Sequence, residues 1–69
     1  MLKIGIIGAG NMGRAHQRAI AAYGGRVVAV HDVIPEVAQK MATEIDAEVG
    51  TTSLETFFDR ELDGVVVTT

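Results

Sequence analysis

The stretch GIIGAGNMGRAH, residues 5–16, decides the fold of this chain. Gly8, Gly10 and Gly13 have the spacing G-x-G-x-x-G, which is a weak signal by itself because glycines are common at turns. Here an apolar, strand-like run, Leu2–Ile7, precedes the first glycine, and a helical pattern follows. A strand that passes through such a loop into a helix, within a unit of about thirty residues, is typical of dinucleotide-binding sites.

Each position of the loop has a predicted physical role. Gly8 permits the tight turn after the strand, Gly10 lets a pyrophosphate approach the backbone, and Gly13 lets the helix lie close to the sheet. The backbone amides near Asn11 and Met12 are expected to point at the phosphates from the positive end of the helix dipole. The alternative is a glycine-rich turn in an α/β domain that binds nothing.

Asp32 is the predicted acidic partner of this loop, at the end of the second strand and 19 residues after Gly13. Its carboxylate can accept hydrogen bonds from both hydroxyls of the adenosine ribose, worth roughly 1.5–3 kcal/mol each. The same charge repels a 2′-phosphate, and Val33 and Ile34 follow it in place of an arginine. We therefore predict NAD as the cofactor, favoured over NADP by about ten- to a hundredfold. The alternative is an aspartate that only ends a strand.

The remaining sequence alternates between strand and helix patterns. Strands are predicted over Leu2–Ile7, Arg26–His31, Glu48–Thr51 and residues 65–69, and helices over Met12–Tyr23, from Pro35, and from Thr52 to about Arg60. The order β-α-β-α-β-α-β predicts an α/β fold, a Rossmann-type doubly wound parallel sheet with strand order 3-2-1-4. Because no helix follows the last strand, we read residues 1–69 as the N-terminal part of a dinucleotide-binding domain, truncated after the fourth strand.

Local signals suggest how the helices begin, end and pack. Gly24 and Gly25 are expected to end the first helix, Ile34 is a poor N-cap for the second, and Thr52-x-x-Glu55 matches a capping box. The predicted buried stripes are Met12, His16, Ala19, Ile20 and Tyr23 on the first helix and Val37, Ala38, Met41 and Ile45 on the second.

Several further polar residues have two readings each. Thr68 and Thr69 end the fourth strand at the sheet edge where ligands bind, and they either contact the cofactor or only finish a strand. His16 is expected to be a packed residue, and His31 a packing or adenine-side neighbour. Arg14 is either a surface residue or an aid to phosphate binding.

Composition excludes several classes of function. The formal net charge of −3 is unlike the basic surface of a nucleic-acid-binding protein. The apolar runs are far shorter than the roughly 20 residues of a membrane span. Cysteine is absent, and the two histidines form no metal-ligand cluster. We expect a cytoplasmic protein with no metal, no nucleic-acid partner and no membrane partner.

The stretches KIGIIGAGNMGRAH, VVAVHDVIPEVAQKMA and TTSLETFFDRELDGVVVTT closely resemble the start of the Gfo/Idh/MocA family of oxidoreductases, named after glucose–fructose oxidoreductase and inositol dehydrogenase. His16, three residues after the final glycine, is the distinguishing residue. The resemblance implies an NAD(P)-dependent oxidoreductase that moves hydride between nicotinamide and a sugar, polyol or related substrate. It also implies a second α+β domain that carries the substrate pocket and the interface of a homo-oligomer.

The catalytic residues that the resemblance implies are a lysine in a Glu-Lys-Pro motif and a later histidine, and neither region is present. Lys3, Lys40, His16 and His31 do not match them, so we assign no catalytic residue. The 69-residue chain alone is predicted to transfer no hydride and to bind NAD poorly. The alternatives are a non-catalytic NAD-binding module or a structural remnant of a Rossmann domain.

Overall fold

The computed structural model describes residues 1–68, and at positions 11 and 12 it describes the backbone. Seven elements follow one another in the predicted order: β1 (Leu2–Ile7), α1 (Asn11–Ala22), β2 (Gly25–His31), α2 (Pro35–Glu44), β3 (Val49–Thr51), α3 (Leu54–Phe58) and β4 (Gly64–Val67). Most predicted boundaries agree to within one or two residues. Within the described part of the chain, no helix is long and apolar enough to cross a membrane.

All four strands lie parallel in one sheet with the order β3-β2-β1-β4, which confirms the predicted Rossmann-type topology. β1 is central, so Ile7 at its carboxyl end has His31 of β2 on one side and Val67 of β4 on the other. Right-handed crossovers then place α1 and α2 on one face of the sheet and α3 on the opposite face. The crossover connections change direction between β1 and β4, and open α/β sheets bind ligands at such a point.

The main core lies between the sheet and the helices α1 and α2. Its buried members are Ile6, Ala9, Val27, Val30, Met41 and Ala42. The predicted face of α2 is confirmed, because Ala38 and Met41 are fully buried and Val37 and Ile45 pack against the core. On the other face of the sheet, Phe57 of α3 is fully buried.

The predicted buried stripe of α1 is wrong for three of its members. His16, Ala19 and Tyr23 are exposed, whereas Ile20 packs against the core. The helix reaches the sheet through its first turn and through Ile20, so periodicity identified an apolar face that the sheet covers only in part. The uncovered portion borders an open apolar groove of about 260 Å³. The side chain of Met12, the fifth member of the stripe, lies outside the described residues.

The ends of the helices match the local sequence signals, except at α3. Gly24 has a φ of 83°, as expected of the residue that ends α1, and Ile34 caps α2 without a side-chain hydrogen bond. The cap of α3 is Ser53 and not Thr52, because the Ser53 hydroxyl accepts from the Thr56 N–H at 3.1 Å. The capping-box pattern was therefore misplaced by one residue. The helix also ends at Phe58, two residues before the predicted Arg60.

Candidate functional site

The candidate site lies where the carboxyl ends of β1, β2 and β4 meet the first turn of α1. The glycine loop, residues 8–13, leaves β1 there. Asp32 follows β2 directly, and Thr68 follows β4 directly. The fold thus brings the predicted loop, the predicted carboxylate and the predicted threonine to one edge of the sheet. Thr69, which was predicted with Thr68, lies outside the described residues.

Gly8 makes the turn that the sequence predicts. Its φ is 102°, a left-handed conformation that side chains rarely adopt, and it is buried. Its N–H donates to the carbonyl oxygen of His31 at 2.8 Å, which extends the pairing of β1 and β2 by one bond. Its carbonyl oxygen accepts from the Thr68 hydroxyl at 2.7 Å. The peptide after the strand is therefore held from both neighbouring strands.

Gly10 and Gly13 differ in what surrounds them. Gly10 is the exposed N-cap of α1, and no atom lies within 4 Å of the place that a Cβ would occupy. Gly13 is buried, and a Cβ there would overlap the carbonyl oxygen of Gly8 and lie 3.3 Å from its carbonyl carbon. The space at Gly10 and the close approach at Gly13 fit the predicted roles of open access and tight helix packing.

The first turn of α1 presents backbone donors to the same space. The N–H of Arg14 donates to the Gly10 carbonyl at 3.1 Å, which is the bond that closes the first helical turn. Backbone amides before that bond, including those of Asn11 and Met12, have no acceptor inside a helix and carry its positive dipole end. The first turn contains no acidic side chain. The site thus suits an anion. The side chains of Asn11 and Met12 lie outside the described residues.

Asp32 bridges the glycine loop and the start of α2. One carboxylate oxygen accepts from the Ala9 N–H at 2.9 Å, and the other accepts from the Ile34 N–H at 3.0 Å. These two bonds, the one from Ala9 above all, hold the pKa of the Asp32 carboxyl below its usual value. A carboxylate offers about four acceptor positions. Two thus stay available for a ribose diol while the loop remains tied to β2.

His31 is packed, which is one of the two readings given for it, and its place beside an adenine stays a prediction. It is 8% exposed, its Nε2 lies 3.0 Å from the carbonyl oxygen of Thr52, and its ring meets Phe57 edge to face at 6.1 Å between centroids. A carbonyl only accepts, so Nε2 carries the proton. Nδ1 is buried and has no partner among the described residues.

Arg14 is committed to another helix and not to the glycine loop. Its two terminal nitrogens donate to both carboxylate oxygens of Glu44 at 3.0 and 2.7 Å. This pairing raises the pKa of the Arg14 guanidinium and lowers the pKa of the Glu44 carboxyl. The pair joins α1 to α2. Of the two readings offered, the pairing of Arg14 with Glu44 favours the surface residue.

Two features of the site were missed by sequence reasoning. One is the tie between the Ala9 N–H and Asp32, and the other is the bond from the Thr68 hydroxyl to the Gly8 carbonyl. Both join residues that are far apart in the chain. The strand order already placed the three strand ends together, so the proximity was available as a signal, although the hydrogen-bond partners were not.

Known proteins resemble the chain over its whole length. A family model described as "NADP oxidoreductase coenzyme F420-dependent" matches residues 3–69. An inositol 2-dehydrogenase of Acidothermus cellulolyticus is 42% identical over an alignment of 69 positions, which covers 96% of this chain and 20% of that protein. The chain thus spans about a fifth of the length of this relative.

Solved structures give the same picture. A myo-inositol dehydrogenase from Corynebacterium glutamicum superposes with a TM-score of 0.87 at 32% identity, covering 100% of this chain and 21% of its own. GenD2 from gentamicin A biosynthesis, in complex with NAD, has a TM-score of 0.88 at 30% identity over 99% of this chain and 20% of its own. The WlbA dehydrogenase from Bordetella pertussis, in complex with NADH and UDP-GlcNAcA, has a TM-score of 0.85 at 27% identity over 99% of this chain and 22% of its own.

The glycine loop, the strand order and the similarity to these relatives all indicate the same family. The chain therefore belongs to the family described as NADP oxidoreductase coenzyme F420-dependent, and the resemblance to Gfo/Idh/MocA dehydrogenases is confirmed.

Proposed function

We propose that this chain is the dinucleotide-binding, N-terminal part of an NAD(P)-dependent oxidoreductase that acts on a sugar, a polyol or a related substrate. The observation that carries the proposal is the juxtaposition of an open Gly10 at the start of α1 with the Asp32 carboxylate, 2.9 Å from the loop amide of Ala9. The names of the relatives support it, since they are dehydrogenases of inositol and of sugar derivatives.

The residues of the loop have distinct roles in this proposal. The amides of Asn11, Met12 and Gly13 hold the pyrophosphate, and Gly10 keeps the approach free of a side chain. Asp32 accepts from the ribose diol. The nicotinamide supplies the hydride chemistry when it is bound, and the protein supplies binding and orientation.

No residue of the chain is assigned to proton transfer. His31 is packed under Phe57 with Nε2 committed to a carbonyl, and His16 is exposed on α1. The general acid or base of the reaction therefore belongs to parts of the relatives that have no counterpart in this sequence. We expect the 69-residue chain to bind NAD weakly and to transfer no hydride.

NAD is the proposed cofactor, and NADP is the alternative that the family description names. Asp32 carries the distinction, because its carboxylate, ionised at neutral pH, repels a 2′-phosphate on the ribose that it binds. Arg14, which could neutralise a phosphate, is paired with Glu44. Two of the similar structures hold NAD or NADH, which supports the same choice.

The remaining proposals concern the whole protein. By analogy with relatives that bind substrates such as UDP-GlcNAcA, the partner is a small sugar or polyol. We also propose a homo-oligomer located in the cytoplasm, with no nucleic-acid or membrane partner.

The decisive experiment is a titration of the ¹⁵N-labelled chain with NAD and with NADP, followed by NMR because the binding is weak. We expect NAD to shift the amides of residues 8–13 and 32–34, and to bind about ten- to a hundredfold more tightly than NADP. In Asp32→Asn, which keeps an acceptor oxygen for the loop, this preference shrinks to about threefold or less. Asp59→Asn removes an exposed carboxylate elsewhere and is the matched control.

Equal affinity for both cofactors, or an unchanged preference in Asp32→Asn, would contradict the assignment of Asp32.

A structural remnant is the second candidate, because the Asp32 carboxylate already bonds to two backbone amides of the fold. In that case neither cofactor shifts the loop amides, and Asp32→Asn lowers only the stability. A binding module without catalysis would bind NAD as proposed, while the complete protein would turn over no polyol.

A further inference from the structure

The carbonyl group of Gly8 is held by a residue sixty positions away. The Thr68 hydroxyl donates to this carbonyl oxygen at 2.7 Å, and the Thr68 N–H donates to the carbonyl of Ile7 at 2.8 Å. Thr68 thus binds two successive carbonyl groups where β1 gives way to the glycine loop. The bond from the Thr68 N–H to Ile7 continues the pairing of β1 with β4, while the bond from the hydroxyl to Gly8 is made by the side chain.

The Gly8 carbonyl needs this partner for a physical reason. Gly8 is buried, and its φ of 102° turns its peptide out of the regular ladder of β1. A buried carbonyl without a hydrogen bond costs about 1–3 kcal/mol. The hydroxyl of Thr68 is the donor that the fold provides, and it lies at the position where β4 ends.

The same carbonyl is the surface on which α1 rests. Gly13 packs so closely on the Gly8 carbonyl that no Cβ fits between them. A displacement of the Gly8 peptide would therefore displace Gly13, and with it the first turn of α1. The Gly8 N–H, bonded to His31, anchors the other side of the residue.

We propose that Thr68 is a positioning residue of the dinucleotide site, which orients the Gly8 peptide and thereby the backbone donors at the start of α1. This inference rests on the proposed function for the identity of the ligand, a dinucleotide diphosphate. It differs from the predicted contact of Thr68 with the cofactor, because the effect passes through Gly8. A preformed loop binds more tightly than one that must be ordered on binding.

Two substitutions separate the hydroxyl from the shape of the side chain. Thr68→Val keeps the branched shape and removes the donor, whereas Thr68→Ser keeps the donor and loses a methyl group. Thr43→Val makes the same chemical change at an exposed position of α2 and is the matched control. Amide hydrogen exchange of residues 8–14 and the affinity for NAD are measured on each 69-residue chain by NMR.

We expect Thr68→Val to speed the exchange of the Gly8, Ala9 and Arg14 amides about tenfold or more, and to weaken NAD binding about fivefold or more. Thr68→Ser should stay within about threefold of the original chain in both measurements, and Thr43→Val should match that chain. Amide exchange is measured without ligand, so it tests the positioning role even if none of the chains binds NAD. Failure of every chain to bind NAD would refute the proposed function alone.

The positioning role is wrong if Thr68→Val weakens NAD binding while loop exchange stays unchanged, since Thr68 then contacts the cofactor directly. Unchanged exchange together with unchanged binding overturns it as well. Should Thr68→Val fail to fold, a measurement on the original chain still tests the positioning role. A slowly exchanging Thr68 hydroxyl proton with a scalar coupling to the Gly8 carbonyl carbon supports the proposal, and a rapidly exchanging one without that coupling refutes it.

Discussion

Replacing Gly10 or Gly13 by alanine adds the same methyl group at two places three residues apart, with opposite consequences. At Gly13 the new Cβ overlaps the carbonyl oxygen of Gly8, which Thr68 holds in place at 2.7 Å. Overpacking of this kind costs about 1–3 kcal/mol, and the better helix propensity of alanine returns about 0.5–1 kcal/mol. We therefore expect Gly13→Ala to lower the free energy of unfolding by about 1–2 kcal/mol.

At Gly10 the new Cβ meets no atom within 4 Å, and a φ of −80° suits alanine. The free energy of unfolding should change by less than about 0.5 kcal/mol, since the poorer N-cap is offset by a less flexible unfolded chain. The methyl group does occupy the space through which we propose that the pyrophosphate approaches. NAD affinity should fall about tenfold or more, which corresponds to about 1.4 kcal/mol or more.

Urea denaturation followed by circular dichroism measures the stability of both variants, and NMR titration with NAD measures the affinity. Each variant serves as the control of the other, because one perturbs the fold and the other the ligand path. Binding of NAD by Gly10→Ala within twofold of the original chain would show that the diphosphate does not pass this residue. Undiminished stability of Gly13→Ala would show that α1 does not rest on the Gly8 carbonyl.

Two further predictions concern stability. The pKa of Asp32 is lowered in the folded state, so its contribution is present above the unfolded pKa of about 3.9 and is lost as the pH falls through the folded pKa. Urea midpoints between pH 6 and pH 2 should therefore fall more steeply for the original chain than for Asp32→Asn, and parallel curves would contradict this. Asp46 has a φ of 57° at the C-terminal end of α2, where the Ala47 N–H bonds to the Ala42 carbonyl at 2.8 Å. Because glycine is preferred at this position, Asp46→Gly should raise the free energy of unfolding by about 0.5–1 kcal/mol, and Asp59→Gly, at an exposed site with a φ of −72°, should not.

Most of the fold could be read from the order of residues alone. The apolar run Leu2–Ile7, the glycines that follow it and the apolar positions of α2 depend on backbone preference and side-chain period, which act over a few residues. Right-handed crossovers then leave few ways to arrange four parallel strands. The helix caps were harder to predict. The α3 cap was misplaced because the adjacent hydroxyls of Thr52 and Ser53 both suit an N-cap.

The order of residues also predicted the members of the candidate site, since the types and spacing of Gly8, Gly13 and Asp32 indicate the roles proposed for them. Only the tertiary structure decided which groups hold one another there. The Asp32 carboxylate meets the Ala9 N–H across 23 positions, and the Thr68 hydroxyl meets the Gly8 carbonyl across 60. It also decided that His16 is exposed, because burial depends on what packs over a helix as well as on the face where a residue lies. Such partnerships form only after the strands are paired, and they leave no local pattern in the chain.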